Sequence, residues 1–144
     1  MARPPMTIAS ATLVELKRRA RDAATRAYAP YSSFPVGAAV LAAGGAIHTG
    51  ANVENASYGL SICAERAAIF EAVAHGARRI EAIVIYTATP APTTPCGACR
   101  QVIHEFGPDA VVVCCTDDER AERTYALAEL LPGAFGLEQL ERRR

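Results

Sequence analysis

Three cysteines and a glutamate are the residues of this chain best suited to chemistry. The segment Thr94-Pro95-Cys96-Gly97-Ala98-Cys99 places two thiols three positions apart at the start of an expected helix. Both sulfurs can then lie on one side of the first turn. Free backbone N–H groups and the positive helix end favour thiolate there, the form that binds metal. A C-x-x-C pair alone also suits a redox dithiol, or half of a four-cysteine structural zinc site. Cys63 adds a third sulfur at the start of another expected helix, with Glu65 two positions on. Two such helix starts can converge at the sheet edge, where the C-terminal ends of strands leave a crevice. Three thiolates would hold a zinc ion and leave one tetrahedral position for water, the catalytic rather than the structural layout. Glu65 is then the carboxylate that takes a proton from that water and delivers it elsewhere. Arg66 answers a charge problem, because three thiolates on one zinc leave a net negative charge that a guanidinium on the sulfurs offsets. A structural site would need a fourth ligand. Cys114 and Cys115 are strand neighbours on opposite faces, so at most one could join, and both read as small buried hydrophobes. His48, His75 and His104 read as surface or packing residues.

The elements that must bring these residues together follow from hydrophobic period and turn chemistry. Ser10 is placed to cap a helix whose apolar face runs Leu13, Leu16, Ala20, Ala23 and Ala27. Tyr28–Pro35 is a loop, and Val36–Leu41 and Ala46–Thr49 form a hairpin across a glycine turn. After the polar stretch Gly50–Leu60, Ser61 is expected to cap a helix of about fourteen residues with Glu65 in its first turn and Gly76 at its end. Ile80–Tyr86 and Ala110–Cys115 read as buried strands on either side of a helix from Cys96 to Phe106. Arg120–Tyr125 reads as a weak fifth strand, and Leu127–Leu131 as one helical turn. Strand, helix, strand implies a right-handed parallel crossover. The last two strands, joined by about four residues, fit only an antiparallel hairpin. The expected fold class is α/β, a three-layer sandwich in which helices flank a mixed five-stranded sheet. It forms one domain over 1–144, with 1–9 as a loose N-terminal arm.

Composition bounds the function. At 144 residues the chain is one domain by size, and a chain this long buries about two-thirds of its surface on folding. With 51% hydrophobic residues, a core needs no disulfide staples. Fifteen basic and fifteen acidic residues give zero formal charge, which argues against a nucleic-acid partner. No apolar run reaches the ~20 residues of a membrane span. Met1–Ala11 does not read as a signal peptide, so the expected location is cytoplasmic. Five cysteines, an odd number, favour reduced thiols, metal or catalysis over a disulfide framework. The basic residues are fourteen arginines and one lysine, and the only asparagines are Asn52 and Asn55. That bias has thinned asparagine wherever it was dispensable, so two within four residues have a task.

Four segments then carry a resemblance. Phe34-Pro35-Val36-Gly37, Asn52-Val53-Glu54-Asn55-Ala56-Ser57-Tyr58, Cys63-Ala64-Glu65-Arg66 and Pro95-Cys96-Gly97-Ala98-Cys99-Arg100-Gln101 resemble the small homotetrameric, zinc-dependent cytidine deaminases. Leu130-Leu131-Pro132 and Phe135-Gly136 match that family's C-terminal segment. The resemblance implies a cytidine deaminase-like fold and one Zn2+ per chain on Cys63, Cys96 and Cys99. It also implies hydrolytic deamination of cytidine or 2′-deoxycytidine at C4, with Glu65 as the proton shuttle and Arg66 beside the sulfurs, in pyrimidine salvage. By the same resemblance Asn52 and Glu54 hold the ribose 3′-hydroxyl, Phe34 packs against the base, and Ala64 contacts the pyrimidine through its backbone. Ala56 and Tyr58 complete a neighbouring subunit's site, and Phe135 closes one from another chain of a homotetramer. Asn55, Arg100 and Gln101 are left as structural support. Cys63 stands where nucleic-acid deaminases carry histidine, which, with the neutral charge, favours a free nucleoside. Two alternatives stay open: a related deaminase of a nucleoside antibiotic such as blasticidin S, and a non-catalytic zinc-stabilised binding module.

Overall fold

The computed structural model describes residues 7–142. Helix α1 (Ser10–Ala24) leads into the hairpin β1 (Val36–Ala42) and β2 (Ile47–Ala51). Helix α2 (Ala64–Ala74), strand β3 (Ile80–Thr87), helix α3 (Gly97–Phe106) and strand β4 (Val111–Cys115) follow. Strand β5 (Arg123–Ala126) and the short helices α4 (Leu127–Leu130) and α5 (Leu137–Glu141) complete the chain. The sheet order is β2-β1-β3-β4-β5. Only β3 and β4 are parallel, across α3; every other pair is antiparallel. The mixed five-stranded sheet, the parallel pairing of β3 and β4 across α3 and the final antiparallel hairpin are those expected.

Alternation along the strands splits the core into two layers. Ala38, Val40, Ile83, Ile85, Val112 and Cys114 face Ala64, Ala68, Ile69, Ala72 and Ile103 of α2 and α3. Ala39, Leu41, Ala82, Val84, Val113 and Cys115 face Leu16 and Ala20 of α1. The neighbours Cys114 and Cys115 thus enter opposite cores, both as buried thiols. Small residues let helices close on the sheet. A Cβ on Gly37 would come 1.9 Å from the Ala20 carbonyl oxygen, and one on Gly50 2.4 Å from the Ala68 nitrogen. At the end of α2, Gly76 adopts φ 95°, the left-handed conformation that stops a helix.

Several boundaries differ from the sequence expectation. Ser10 does not cap α1, because the capping position is Ala9 and no side chain caps it. Ser61 does not cap α2 either. Its hydroxyl accepts from the Asn55 N–H at 3.1 Å, while Ile62 pairs with Val53, so extended chain runs on to Cys63 at the cap. The helix is correspondingly shorter, at 11 residues. The Asp118 carboxylate accepts from the Arg120 N–H at 3.0 Å, so Glu119–Ala121 forms a turn of 3-10 helix and β5 starts at Arg123. Helix α5 was not anticipated. Within the expected arm, residues 1–6 lie outside the described residues, and Ile8 packs against the α1-side core. Among the described residues no helix is long and apolar enough to cross a membrane.

Candidate active site

Cys63 and Cys96 are the capping residues of α2 and α3, and Cys99 lies in the first turn of α3. Both caps have extended backbone, and neither sulfur caps its own helix through a hydrogen bond. The two helices flank the same sheet face, so their positive ends meet. Cys63 Sγ and Cys96 Sγ are 3.7 Å apart, and one sulfur from each of Cys63, Cys96 and Cys99 lies within 4.8 Å of the others. Tetrahedral zinc with bonds of about 2.3 Å sets its sulfurs about 3.8 Å apart. Among the described residues no other His, Cys, Asp or Glu joins this group.

Charge explains why the cluster suits a cation. The neighbouring Cys99 thiol and the Arg66 guanidinium hold the Cys63 thiol down at about 5. Arg66 Nη2 donates to Cys63 Sγ at 3.4 Å. Cys99 is pushed the other way, by the Cys63 thiolate beside it, by burial and by Glu65. One thiolate therefore suppresses the next, and only a bound cation reverses that, because a coordinating thiol is deprotonated outright. Arg66 Nε is buried without a hydrogen-bond partner among the described residues, a cost that the Nη2 contact to the Cys63 sulfur offsets.

Glu65 is buried, one of two buried polar residues among those described. Its carboxylate oxygen lies 3.7 Å from Cys99 Sγ. Burial raises its proton affinity above the ordinary carboxylate range, and the Cys63 thiolate raises it further. Such a group holds and releases a proton near neutrality more readily than an exposed glutamate.

The polar segment after β2 runs beside these ligands. Val53 exchanges backbone hydrogen bonds with Ile62, at 3.0 and 2.9 Å, which sets Asn52-Val53-Glu54 against the lead-in to Cys63. The Asn52 amide bridges the loop before β1, donating to the Phe34 carbonyl at 2.8 Å and accepting from the Val36 N–H at 2.9 Å. Glu54 Oε1 accepts from the Tyr31 and Ser32 N–H groups at 2.9 and 3.1 Å. Hydrogen bonds from the Ser32 side chain and backbone and from Tyr31 keep its carboxyl below the ordinary range. Glu54, Tyr58, Tyr31, Ser32 and Ser61 line a shallow cleft of about 320 Å³. The sequence marks none of Tyr31, Ser32 and Ser61 as site residues, reading Ser61 only as a helix cap, because their loops have no period and only folding brings them to Glu54. Arg100 ties the zinc-side loop together, donating to Pro95 O at 2.7 Å, Leu130 O at 2.9 Å and Thr94 Oγ1 at 3.3 Å.

Residues 11–115 match the cytidine and deoxycytidylate deaminase zinc-binding region. The chain belongs to this deaminase family. It is 45% identical over 128 residues to a cytidine deaminase of Sporosarcina psychrophila, covering 89% of this chain and 92% of that one. It is 42% identical over 129 residues to the cytidine deaminase of Mycobacterium tuberculosis, covering 90% and 93%. The fold superposes on the crystal structure of a cytidine deaminase from Burkholderia pseudomallei with a TM-score of 0.81 at 46% identity, covering 85% of this chain and 98% of that one. The matched zinc-binding region takes in the three cysteines and Glu65 of this deaminase but ends before Phe135. Phe135 is instead held by its own chain's α3, where Gln101 Nε2 donates to the Phe135 carbonyl at 2.8 Å, and 56% of the residue is exposed.

Proposed function

We propose that this zinc-dependent deaminase hydrolyses cytidine and 2′-deoxycytidine to uridine and 2′-deoxyuridine, with release of ammonia. One zinc ion per chain is held by Cys63, Cys96 and Cys99. The observation that carries the reading is a buried glutamate set against a three-sulfur cluster that has no fourth protein ligand among the described residues. When bound, zinc supplies the Lewis acidity that brings the pKa of a coordinated water towards neutrality. Glu65 takes one proton of the attacking water and passes it to ring N3 as oxygen adds to C4, then takes the remaining proton of the C4 hydroxyl and delivers it to the exocyclic amine. The C4–N4 bond breaks and ammonia leaves. Its raised proton affinity, caused by burial, suits both halves of that cycle. Arg66 offsets the negative charge of the thiolates from beside Cys63.

Phe34 packs against the base and the Ala64 backbone contacts the pyrimidine edge. Glu54 is held ionised by hydrogen bonds from the Ser32 side chain and from the Ser32 and Tyr31 backbone amides, and such a carboxylate has further lone pairs to accept from the ribose 3′-hydroxyl. Asn52 uses its carbonyl and one amide hydrogen on the Phe34 loop and has a second hydrogen for the sugar. Ala56, Tyr58 and Phe135 serve neighbouring sites in a cytoplasmic homotetramer. In support, Tyr58 is 75% exposed, and Val53, Leu60 and Leu137 are all more than half exposed near it in sequence or on the C-terminal segment. So many large apolar side chains on a small domain favour burial by other copies.

Ammonia release from cytidine, 2′-deoxycytidine and blasticidin S by the zinc-loaded protein tests the substrate. Turnover of the two nucleosides with little from the antibiotic is expected. Preference for blasticidin S would overturn the assignment, and zinc binding without turnover of any of the three would favour a binding module.

A further inference from the structure

The opposite end of α2 carries a second convergence of ligand-type side chains. Gly50 lies against α2, its would-be Cβ 2.4 Å from Ala68 N and 2.7 Å from Ala64 O, so helix and edge strand are held in close contact. His48, two residues earlier on β2, shares that face. Further along α2, Glu71 and His75 are four residues apart and so lie on one side of the helix. Glu71 Oε2 accepts from the Thr49 N–H at 3.1 Å and lies 3.6 Å from His48 Nδ1. The His48 and His75 rings are 5.2 Å apart. His75 Nδ1 lies 2.9 Å from the Glu71 carbonyl oxygen. A carbonyl only accepts, so Nδ1 carries the proton and Nε2 keeps its lone pair, the tautomer that metal-binding histidines adopt when a carbonyl orients them. One ligand atom from each of the three residues lies within 4.8 Å of the others.

We propose that His48, Glu71 and His75 form a second metal site that takes a first-row divalent cation such as zinc, with water completing the shell. Two imidazoles and a carboxylate are a ligand set that zinc uses elsewhere. His75 caps the C-terminal end of α2, where the helix dipole favours positive charge. Tetrahedral zinc with bonds of about 2.1 Å sets its ligands about 3.4 Å apart, so a bound ion would draw in ligand atoms that already lie within 4.8 Å of one another. One helix thus presents a thiolate centre at its start and an imidazole–carboxylate site at its end. Each histidine alone reads as a surface or packing residue; the packing of α2 on β2 brings them together.

Tag-free protein already carrying one zinc per chain is dialysed against buffered free zinc, and bound metal is counted per chain. A second zinc is expected in the wild type. His48→Gln and His75→Gln should each weaken it by at least about tenfold while keeping the first zinc and full cytidine turnover, which also shows that they fold. A wild type that stays at one zinc up to about 100 µM free ion would overturn the site. So would a second zinc that survives in either variant.

Discussion

Cys63 and Cys99 are one residue type in two electrostatic settings, and the difference between them shapes the chemistry. Cys63, capping α2 with Arg66 on its sulfur, favours thiolate, whereas Cys99, buried beside that thiolate and Glu65, resists it. A cation binding these two and Cys96 is therefore coupled to folding of the two helix starts. Cys99→Ala should lose zinc and thermal stability together, read by metal analysis and a melting curve. Full zinc in that variant would mean that other ligands hold the ion. Glu65→Gln keeps shape and hydrogen bonding but cannot shuttle protons. Its kcat should fall by at least the about 10²–10⁴ that general acid–base catalysis supplies, with one zinc per chain retained. A variant keeping a tenth of wild-type kcat would place proton transfer on another group. These four residues were legible in the sequence because the spacing of a motif at a helix start fixes where side chains point. The place of Tyr31, Ser32 and Ser61 in the cleft was not, since irregular backbone has no period to read.

The strands and helices were legible wherever pattern and turn chemistry agreed. The β3-α3-β4 crossover follows from two buried apolar runs around a helix, and the final hairpin from its short connection. Helix starts were harder to place. Ser61 looks like a cap for α2, but its hydroxyl serves Asn55, and tertiary pairing of Val53 with Ile62 overrides the local preference. Strand β4 offers a test of burial itself. Its Cys114 and Cys115 thiols are pushed up to about 12 and about 11, above the usual 9.0, chiefly by burial. A group whose pKa is raised by folding contributes stability that is whole below its unfolded pKa and lost as pH rises. Stability should therefore fall from about pH 9 towards 11, by up to about 1.4 kcal/mol per pH unit for each thiol. Urea unfolding across that range should show a shallower fall in the Cys114→Ala, Cys115→Ala double variant. An unchanged slope would show that neither thiol resists ionisation.

The domain alone leaves Tyr58 and Phe135 largely exposed, which fits the proposed role of both at a neighbouring subunit's site. Two impaired proteins test whether sites are shared between subunits. Glu65→Gln lacks the proposed proton shuttle, and Phe135→Ala lacks the side chain that the proposed shared site takes from another chain. After mixed unfolding and refolding, hybrid assemblies should exceed the average activity of the two parents. If hybrids form by mass and give only the average, Phe135 acts within its own subunit. The reaction itself is read in ¹⁸O-labelled water with metal-stripped and zinc-reloaded protein. Reloaded protein should convert cytidine to uridine with one ammonia released and one ¹⁸O gained at C4 per turnover, and stripped protein should do neither. Turnover that survives zinc removal, or uridine without the label, would contradict zinc-dependent hydrolytic deamination.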